Sequence, residues 1–127
     1  MKGLGELERT VMEVLWARDE AGAPGATARD VSRALAGDRD LAHTTVMTVL
    51  DRLAKKGFLE RERDGRAWRY RPAASRESYV AELMLGALNE TGDRDAALAH
   101  FVRSVSEDEI DVIRETLADL TKKERPA

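Results

Sequence analysis

Residues 42–57 read Ala-His-Thr-Thr-Val-Met-Thr-Val-Leu-Asp-Arg-Leu-Ala-Lys-Lys-Gly, and this stretch decides the fold. Apolar side chains recur at the i, i+3, i+4, i+7 spacing of one helical face, at Val46, Val49, Leu50 and Leu53. The opposite face carries short hydroxyl side chains followed by cations, at Thr44, Thr45, Thr48, Arg52 and Lys55. Short side chains let a helix approach base edges in the major groove, while cations reach the flanking phosphates. The pattern therefore predicts a DNA-reading helix.

A β-hairpin is predicted directly after this helix. The runs 58–63 and 66–71 flank Asp64-Gly65, and Asp-Gly favours a type I′ turn because both central positions need positive φ. A two-residue turn at this place would pair Arg63 with Arg66, Arg61 with Trp68, and Leu59 with Tyr70.

The end of the reading helix and the predicted hairpin together form a basic segment. Residues 52–71 hold eight cations and three anions, although the whole chain of 127 residues has a net charge of −3. We expect Leu59 and Tyr70 to pack on the helices at the base of the hairpin, which leaves Arg63 and Arg66 near its tip for phosphate contact. A helix-turn-helix followed by such a hairpin is the winged-helix plan, in which the hairpin, or wing, lies along the DNA backbone or in the minor groove.

Two further helices are predicted before the reading helix. The first runs from about Gly5 to Arg18, and the second runs from Ala28 to about Leu35. Thr27 is a good N-cap for the second helix, and Asp30 three residues later resembles a capping box. A turn at 38–41 leads into the reading helix, which we expect to end at Gly57. Trp16 and Trp68 are interpreted as core residues.

The chain after Pro72 is predicted to be entirely helical. Residues 73–127 carry seven cations against twelve anions. Three helices with narrow apolar stripes cannot enclose a core within about 50 residues, so a two-fold-related second copy is the economical partner. We therefore predict a mainly α fold with a small β wing, divided into a winged helix at 1–72 and a helical dimerisation region at 73–127. The stripe residues expected at the dimer contact are Val80, Leu83, Met84, Leu88, Leu98, Phe101, Val102, Ile110, Ile113, Leu117 and Leu120.

Composition argues against several classes of function. The chain has no cysteine, which excludes disulfides, thiolate metal sites and thiol catalysis, and its two histidines lie in separate segments. No Gly-rich phosphate loop or zinc-binding His pair indicates an enzyme. No apolar run reaches the roughly 18 residues of a membrane span, and the N-terminus lacks the apolar core of a signal peptide. We expect a cytoplasmic, non-enzymatic protein with no cofactor, no metal and no membrane insertion.

Motifs that match a known family run nearly from end to end. They are Leu-Gly-Glu-Leu-Glu (4–8), Val-Met-Glu-Val-Leu-Trp (11–16), the segment 44–59, Trp68-Arg69-Tyr70, Phe101-Val102 and Ser-Glu-Asp-Glu-Ile (106–110). With these motifs the chain resembles the penicillinase repressor (BlaI/MecI/CopY) family of bacterial regulators. The resemblance implies an N-terminal winged helix, a C-terminal dimerisation region and repression of antibiotic-resistance or metal-homeostasis genes through inverted repeats. Copper-sensing relatives end in a cysteine cluster, which this chain lacks.

The resemblance also implies a route of induction. In several family members a membrane-bound metalloprotease sensor triggers cleavage of the repressor just before a Phe in the dimerisation region. The matching bond here is His100–Phe101, which implies a sensor-linked protease as a partner. Cleaved relatives resemble Asn-Phe at this place, so His100 departs from the family pattern.

These observations together predict a dimeric, sequence-specific repressor that binds double-stranded operator DNA with inverted repeats and controls antibiotic-response genes. Two alternatives stay open. The basic wing could bind an acidic protein partner, or the chain could belong to another winged-helix family with a small-molecule effector in its dimer region. The residues expected to contact DNA are Thr44, Thr45, Thr48, Arg52, Lys55, Lys56, Arg63 and Arg66.

Overall fold

The computed structural model describes residues 3–37 and 41–124. Their elements in chain order are α1 Glu6–Glu20, α2 Ala28–Leu35, α3 His43–Lys55, β1 Leu59–Asp64, β2 Ala67–Pro72, α4 Arg76–Leu88, α5 Arg94–Ser104 and α6 Glu107–Glu124. The predicted fold class, mainly helical with a small antiparallel wing, is confirmed. The turn predicted at 38–41 lies mostly outside the described residues.

Local interactions explain where α2 begins and where α3 ends. The Thr27 hydroxyl accepts a hydrogen bond from the Asp30 N–H at 3.2 Å, and the Asp30 carboxylate accepts one from the Thr27 N–H at 3.0 Å. This capping box pairs two N–H groups that a helix start leaves without partners. Gly57 follows α3 with a φ of +89°, a conformation that glycine adopts at little cost. Both predictions are confirmed.

The core lies where α1, α2, α3 and the base of the wing meet. The apolar face predicted for α3 is buried, so its hydroxyl-bearing face is turned away from the core. Leu59 and Tyr70 pack at the wing base, as predicted. The buried side chains are Val11, Met12, Leu15, Trp16, Ala26, Val31, Leu35, Val46, Val49, Leu50, Leu53, Leu59, Tyr70 and Tyr79.

The first half of α4 belongs to this core. The Tyr79 ring packs against Trp16, with ring centroids 5.4 Å apart, and against Phe58 at 5.8 Å. Its hydroxyl accepts a hydrogen bond from the Leu4 N–H at 2.8 Å. Leu83, one turn further along, packs against the same core. Leu83, which we expected at the dimer contact, therefore contributes to the winged helix.

The chain forms two compact units, Met1–Leu83 and Met84–Ala127. The sequence predicts a division at residue 72, where the charge changes sign, whereas the compact units divide inside α4. The reason is the packing of Tyr79 and Leu83, which extends the N-terminal unit beyond the wing.

The two strands of the wing pair in a register that differs from the predicted one. The pairs are Leu59–Pro72, Glu60–Arg71, Arg61–Tyr70, Glu62–Arg69, Arg63–Trp68 and Asp64–Ala67. The turn is therefore Gly65-Arg66, and the predicted pairs Arg63–Arg66, Arg61–Trp68 and Leu59–Tyr70 are wrong.

Backbone conformation explains the shift of the turn. A type II′ turn needs positive φ only at its first central residue, and Gly65 takes that place with a φ of +64°. A type I′ turn on Asp64-Gly65 would force positive φ on Asp64 as well. The partner of each β1 residue moves by two positions, so side chains keep their predicted faces, while Arg66 lies in the turn.

A short bridge ties the wing to the segment before α2. The N–H groups of Ala26 and Tyr70 each donate to the carbonyl oxygen of the other at 2.8 Å. Gly25 precedes this bridge with a φ of +98°, and a Cβ there would lie 2.8 Å from the Tyr70 carbonyl oxygen. Only glycine fits so close to the wing backbone.

The C-terminal unit exposes much of its apolar surface. Among residues 84–123, no side chain is buried. Met84, Leu98, Phe101, Val102, Leu117 and Leu120 are each between 41% and 57% exposed. Within the described ranges, no helix is long and apolar enough to cross a membrane.

Candidate nucleic-acid interface

The face of α3 that points away from the core carries the hydroxyl side chains selected from the sequence. Thr44 and Thr48 are exposed, and Thr45 is half-buried. The Thr48 hydroxyl donates to the Thr44 carbonyl oxygen at 2.9 Å, which leaves its lone pairs free to accept a hydrogen bond from a base. Arg52 is exposed one turn later, and no hydrogen bond or ion pair holds its guanidinium among residues 3–37 and 41–124. This face can therefore accept from bases and donate to phosphates.

A groove of about 630 Å³ lies beside α3 and the wing. Arg66, one of the predicted phosphate contacts, lines it from the turn of the wing. Arg29 at the start of α2 and Arg61 of β1 line the same groove, although neither is among the DNA contacts predicted from the sequence. The sequence contains one feature from which Arg29 could have been predicted as a site residue. The capping box at Thr27 marks the start of α2 and so places residue 29 in its exposed first turn.

The indole ring of Trp68 contacts two arginines of the wing. The guanidinium carbons of Arg61 and Arg63 lie 4.4 and 4.8 Å from the centroid of its indole ring, within the range of cation–π attraction. Arg61 also forms an ion pair with Asp51 of α3 at 3.2 Å. These contacts run from α3 through Arg61 and Trp68 to Arg63. The interpretation of Trp68 as a core residue is wrong, because the side chain is 36% exposed, whereas Trp16 is buried as expected.

Both lysines predicted to bind phosphate already have acidic neighbours. Lys55 Nζ lies 2.9 Å from Asp51 Oδ2, and Lys56 Nζ lies 2.6 Å from Glu8 Oε2 of α1. The hydrogen bond from Lys55 lowers the pKa of Asp51, with a further contribution from Arg61. The hydrogen bond from Lys56 lowers the pKa of Glu8, although burial opposes it. Lys55 therefore pairs with a residue of α3 itself, whereas Lys56 is held against α1.

The other two wing arginines pair with acidic residues of the wing itself. Arg69 forms an ion pair with Asp64 at 2.6 Å, and this hydrogen-bonded contact raises the pKa of Arg69. Arg71 lies 3.8 Å from Glu62. The cations left for an external anion are thus concentrated at the groove and on the Trp68 ring.

Comparison with known proteins bears on what this surface does. The sequence model of the family described as penicillinase repressor matches residues 4–119. The chain belongs to the penicillinase repressor family. The resemblance expected from the sequence motifs is therefore confirmed, and with it the predicted role of this chain in regulating transcription.

Individual relatives match most of this chain. The transcriptional regulator BlaI of Mycobacterium tuberculosis (strain ATCC 25618 / H37Rv) is 52% identical over 120 residues, which are 92% of this chain and 84% of that protein. The methicillin resistance regulatory protein MecI of Staphylococcus aureus (strain N315) is 24% identical over 118 residues, 90% and 92% of the two chains. The solution structure of monomeric Bacillus licheniformis BlaI with the blaP half-operator is 27% identical and covers 61% of this chain and 89% of that chain, with a TM-score of 0.47.

Proposed function

We propose that two copies of this repressor join through their C-terminal units and bind promoter DNA at an inverted repeat. The observation that carries the proposal is the exposed hydroxyl-and-arginine face of α3 beside the basic groove of the wing, in a chain of the penicillinase repressor family. A two-fold dimer presents two reading helices about one DNA turn, or a multiple of it, apart, which matches an inverted repeat. The proposed role is regulatory rather than catalytic, and it acts on cytoplasmic DNA.

In this proposal α3 enters the major groove. Thr44, Thr45 and Thr48 lie at base edges, where short hydroxyl side chains serve as donors or acceptors. Arg52 contacts a phosphate, because its guanidinium has no hydrogen-bonded partner in the part of the chain that the structure describes. Lys55 exchanges Asp51 for a phosphate at little cost, since ion pairs between exposed groups are weak.

The wing provides the second set of proposed DNA contacts. Arg63 and Arg66 contact the phosphate backbone next to the major groove, and Arg29 and Arg61 support the strand that runs along the groove. Lys56 contributes least of the predicted cations, because Glu8 holds it.

The proposed dimer contact uses the apolar side chains that the C-terminal unit leaves uncovered. A unit whose residues 84–123 bury no side chain is completed when a second copy covers its apolar stripes. Leu83 is left out because it packs in the N-terminal core. The proposed contact residues of the C-terminal unit are Met84, Leu88, Leu98, Phe101, Val102, Ile110, Ile113, Leu117 and Leu120, and the exposed Val80 at the end of the N-terminal unit joins them.

Binding to the chain's own upstream promoter DNA tests the reading face. Arg52→Ala should weaken specific and non-specific binding alike and lower the slope of log K against log salt by about 1 for each subunit. Thr45→Ala should relax the sequence preference instead. Arg71→Ala is the control, because Arg71 lies opposite Glu60 at the base of the wing, away from the turn, and does not line the groove. If Arg52→Ala and Thr45→Ala bound operator and competitor DNA like the wild type, α3 would not be the reading helix.

The same binding experiment separates the proposal from its alternatives. A dimer that contacts roughly 6–10 phosphates should lose about 10³–10⁵-fold in affinity between 50 and 200 mM salt. Specific retardation of the promoter fragment in excess competitor DNA contradicts a purely protein-binding wing. A small molecule that binds the chain in a thermal-shift screen and releases it from DNA would instead favour an effector-controlled regulator.

Size-exclusion chromatography with light scattering tests the dimer. Leu117→Lys should convert the micromolar dimer to a monomer, because it buries a charge in the apolar contact. Val112→Lys is the matched control, since Val112 is similarly exposed, at 62% against 57%, but lies off the predicted stripe of α6. A Leu117→Lys protein that stays dimeric would contradict the proposed contact.

We further propose that a sensor-linked protease relieves repression by cutting the His100–Phe101 bond. Both residues are exposed in a single copy and α5 buries no side chain within it, so the bond becomes accessible to a protease when the proposed dimer contact at Phe101 opens. Mass spectrometry of the repressor recovered from cells before and after β-lactam exposure should find a fragment that ends at His100. Relief of repression with the chain intact would contradict cleavage.

A further inference from the structure

Met47 is the one apolar side chain on the exposed face of α3, where the described neighbours at positions 44, 48, 51, 52 and 55 are all polar. The side chain is 50% exposed. The core does not require it, because the opposite face of α3 supplies four buried apolar side chains. Packing in the core therefore does not explain why an apolar side chain of this size lies on the proposed reading face.

The position of Met47 is central to the proposed interface. Thr44 lies one turn before it and Asp51 one turn after it, while Thr48 is its neighbour on the helix. Met47 also lines the groove into which Arg66 and Trp68 of the wing project. A duplex that contacts both α3 and the wing therefore covers Met47.

We propose that Met47 is a specificity-determining residue that contacts the C5-methyl group of a thymine in the operator. This inference rests on the proposed function, because it needs α3 in the major groove. Thymine is the base whose major-groove edge carries a methyl group, and the other bases present hydrogen-bonding groups there that an apolar side chain would leave unpaired. The flexible, polarizable thioether of methionine suits a small apolar contact of this kind.

Deoxyuridine scanning tests the contact directly. An operator duplex is first obtained by selecting DNA from a random pool with the full chain, and each thymine is then replaced in turn by deoxyuridine, which removes only the methyl group. One position in each half-site should weaken wild-type binding about fourfold, the effect of one buried methyl-sized group. Replacing both half-sites together should weaken binding about 15-fold.

Variants at position 47 assign that effect to Met47. Met47→Gln should bind the thymine and deoxyuridine duplexes equally at the sensitive position, whereas Met47→Leu should keep most of the wild-type preference. If Met47→Gln keeps the wild-type response, or if no deoxyuridine position weakens the wild type, the inference is wrong while the proposed repressor stands. If the selection recovers no motif, the proposed function fails, and this inference fails with it.

Discussion

Replacing Gly25 with alanine should loosen the attachment of the wing to the helices. The new Cβ would lie 2.8 Å from the Tyr70 carbonyl oxygen and 3.1 Å from Cγ of Arg69. The φ of +98° adds about 1–2 kcal/mol of backbone strain for a residue with a Cβ. The wing strand cannot retreat without stretching the two hydrogen bonds between Ala26 and Tyr70, each of which contributes about 1 kcal/mol. We therefore expect Gly25→Ala to lower the free energy of unfolding by about 2–4 kcal/mol.

Gly22 offers a matched control for this substitution. Its φ is +80°, but a Cβ there would meet no atom within 4 Å. Gly22→Ala therefore introduces backbone strain alone and should cost about 1–2 kcal/mol. The difference between the two variants isolates the collision with the wing backbone.

Urea denaturation at one fixed protomer concentration measures both variants, because the stability of a dimer depends on concentration. Tryptophan fluorescence reports unfolding of the N-terminal unit, because Trp16 and Trp68 both lie in it. Gly25→Ala should also weaken operator binding more than Gly22→Ala does, since the wing loses its anchored position. Equal unfolding free energies for the two alanine variants would refute the proposed steric role of Gly25.

Three further predictions follow from other contacts. The hydrogen bond from Lys56 lowers the pKa of Glu8, so this carboxylate stabilises the fold above pH 4.5 and the stabilisation is lost as pH falls through the lowered pKa. Glu8→Gln should therefore destabilise the chain to urea at pH 7, and a loss that does not shrink as the pH is lowered below 4.5 would contradict this. Trp68→Leu should weaken operator binding up to about tenfold in fluorescence anisotropy, and Trp68→Tyr should weaken it less, because a tyrosine ring still attracts Arg61 and Arg63. Leu50→Ala should lower the unfolding free energy by about 2–5 kcal/mol, and a loss no larger than that of the surface variant Val112→Ala would contradict its place in the core.

Features that depend on neighbouring residues could be predicted from the sequence. The capping box of Thr27 and Asp30 joins residues three apart, and the buried face of α3 follows from a repeat within one helix. The stop at Gly57 is equally local. These elements place the candidate reading face on the exposed side of α3.

Features that depend on distant partners or on a single backbone angle could not be predicted. Tyr79 joins the core through Trp16 and Phe58, which lie far from it in the chain, so the start of α4 was assigned to the dimerisation region. The turn of the wing depends on whether residue 64 adopts positive φ, and the Asp-Gly pattern suggested that it does.

Because the turn of the wing was predicted at the wrong residues, one contact of the candidate site was not predicted. A register shifted by two residues placed Arg66 opposite Arg63, so the stacking of Arg63 on Trp68 was not expected. The ion pair between Arg61 and Asp51 joins the wing to α3 across ten residues, and no periodic pattern reports such a contact.

Residues 84–123 bury no side chain, so the proposed activity depends on dimer formation and therefore on the concentration of the protein in the cell. Pairing grows with the square of the monomer concentration, so dilution during rapid growth would empty promoters more steeply than the drop in protein amount. Chains without a partner would expose their C-terminal unit to proteases. Newly made protein would therefore last longest in cells that already hold enough of it to form dimers.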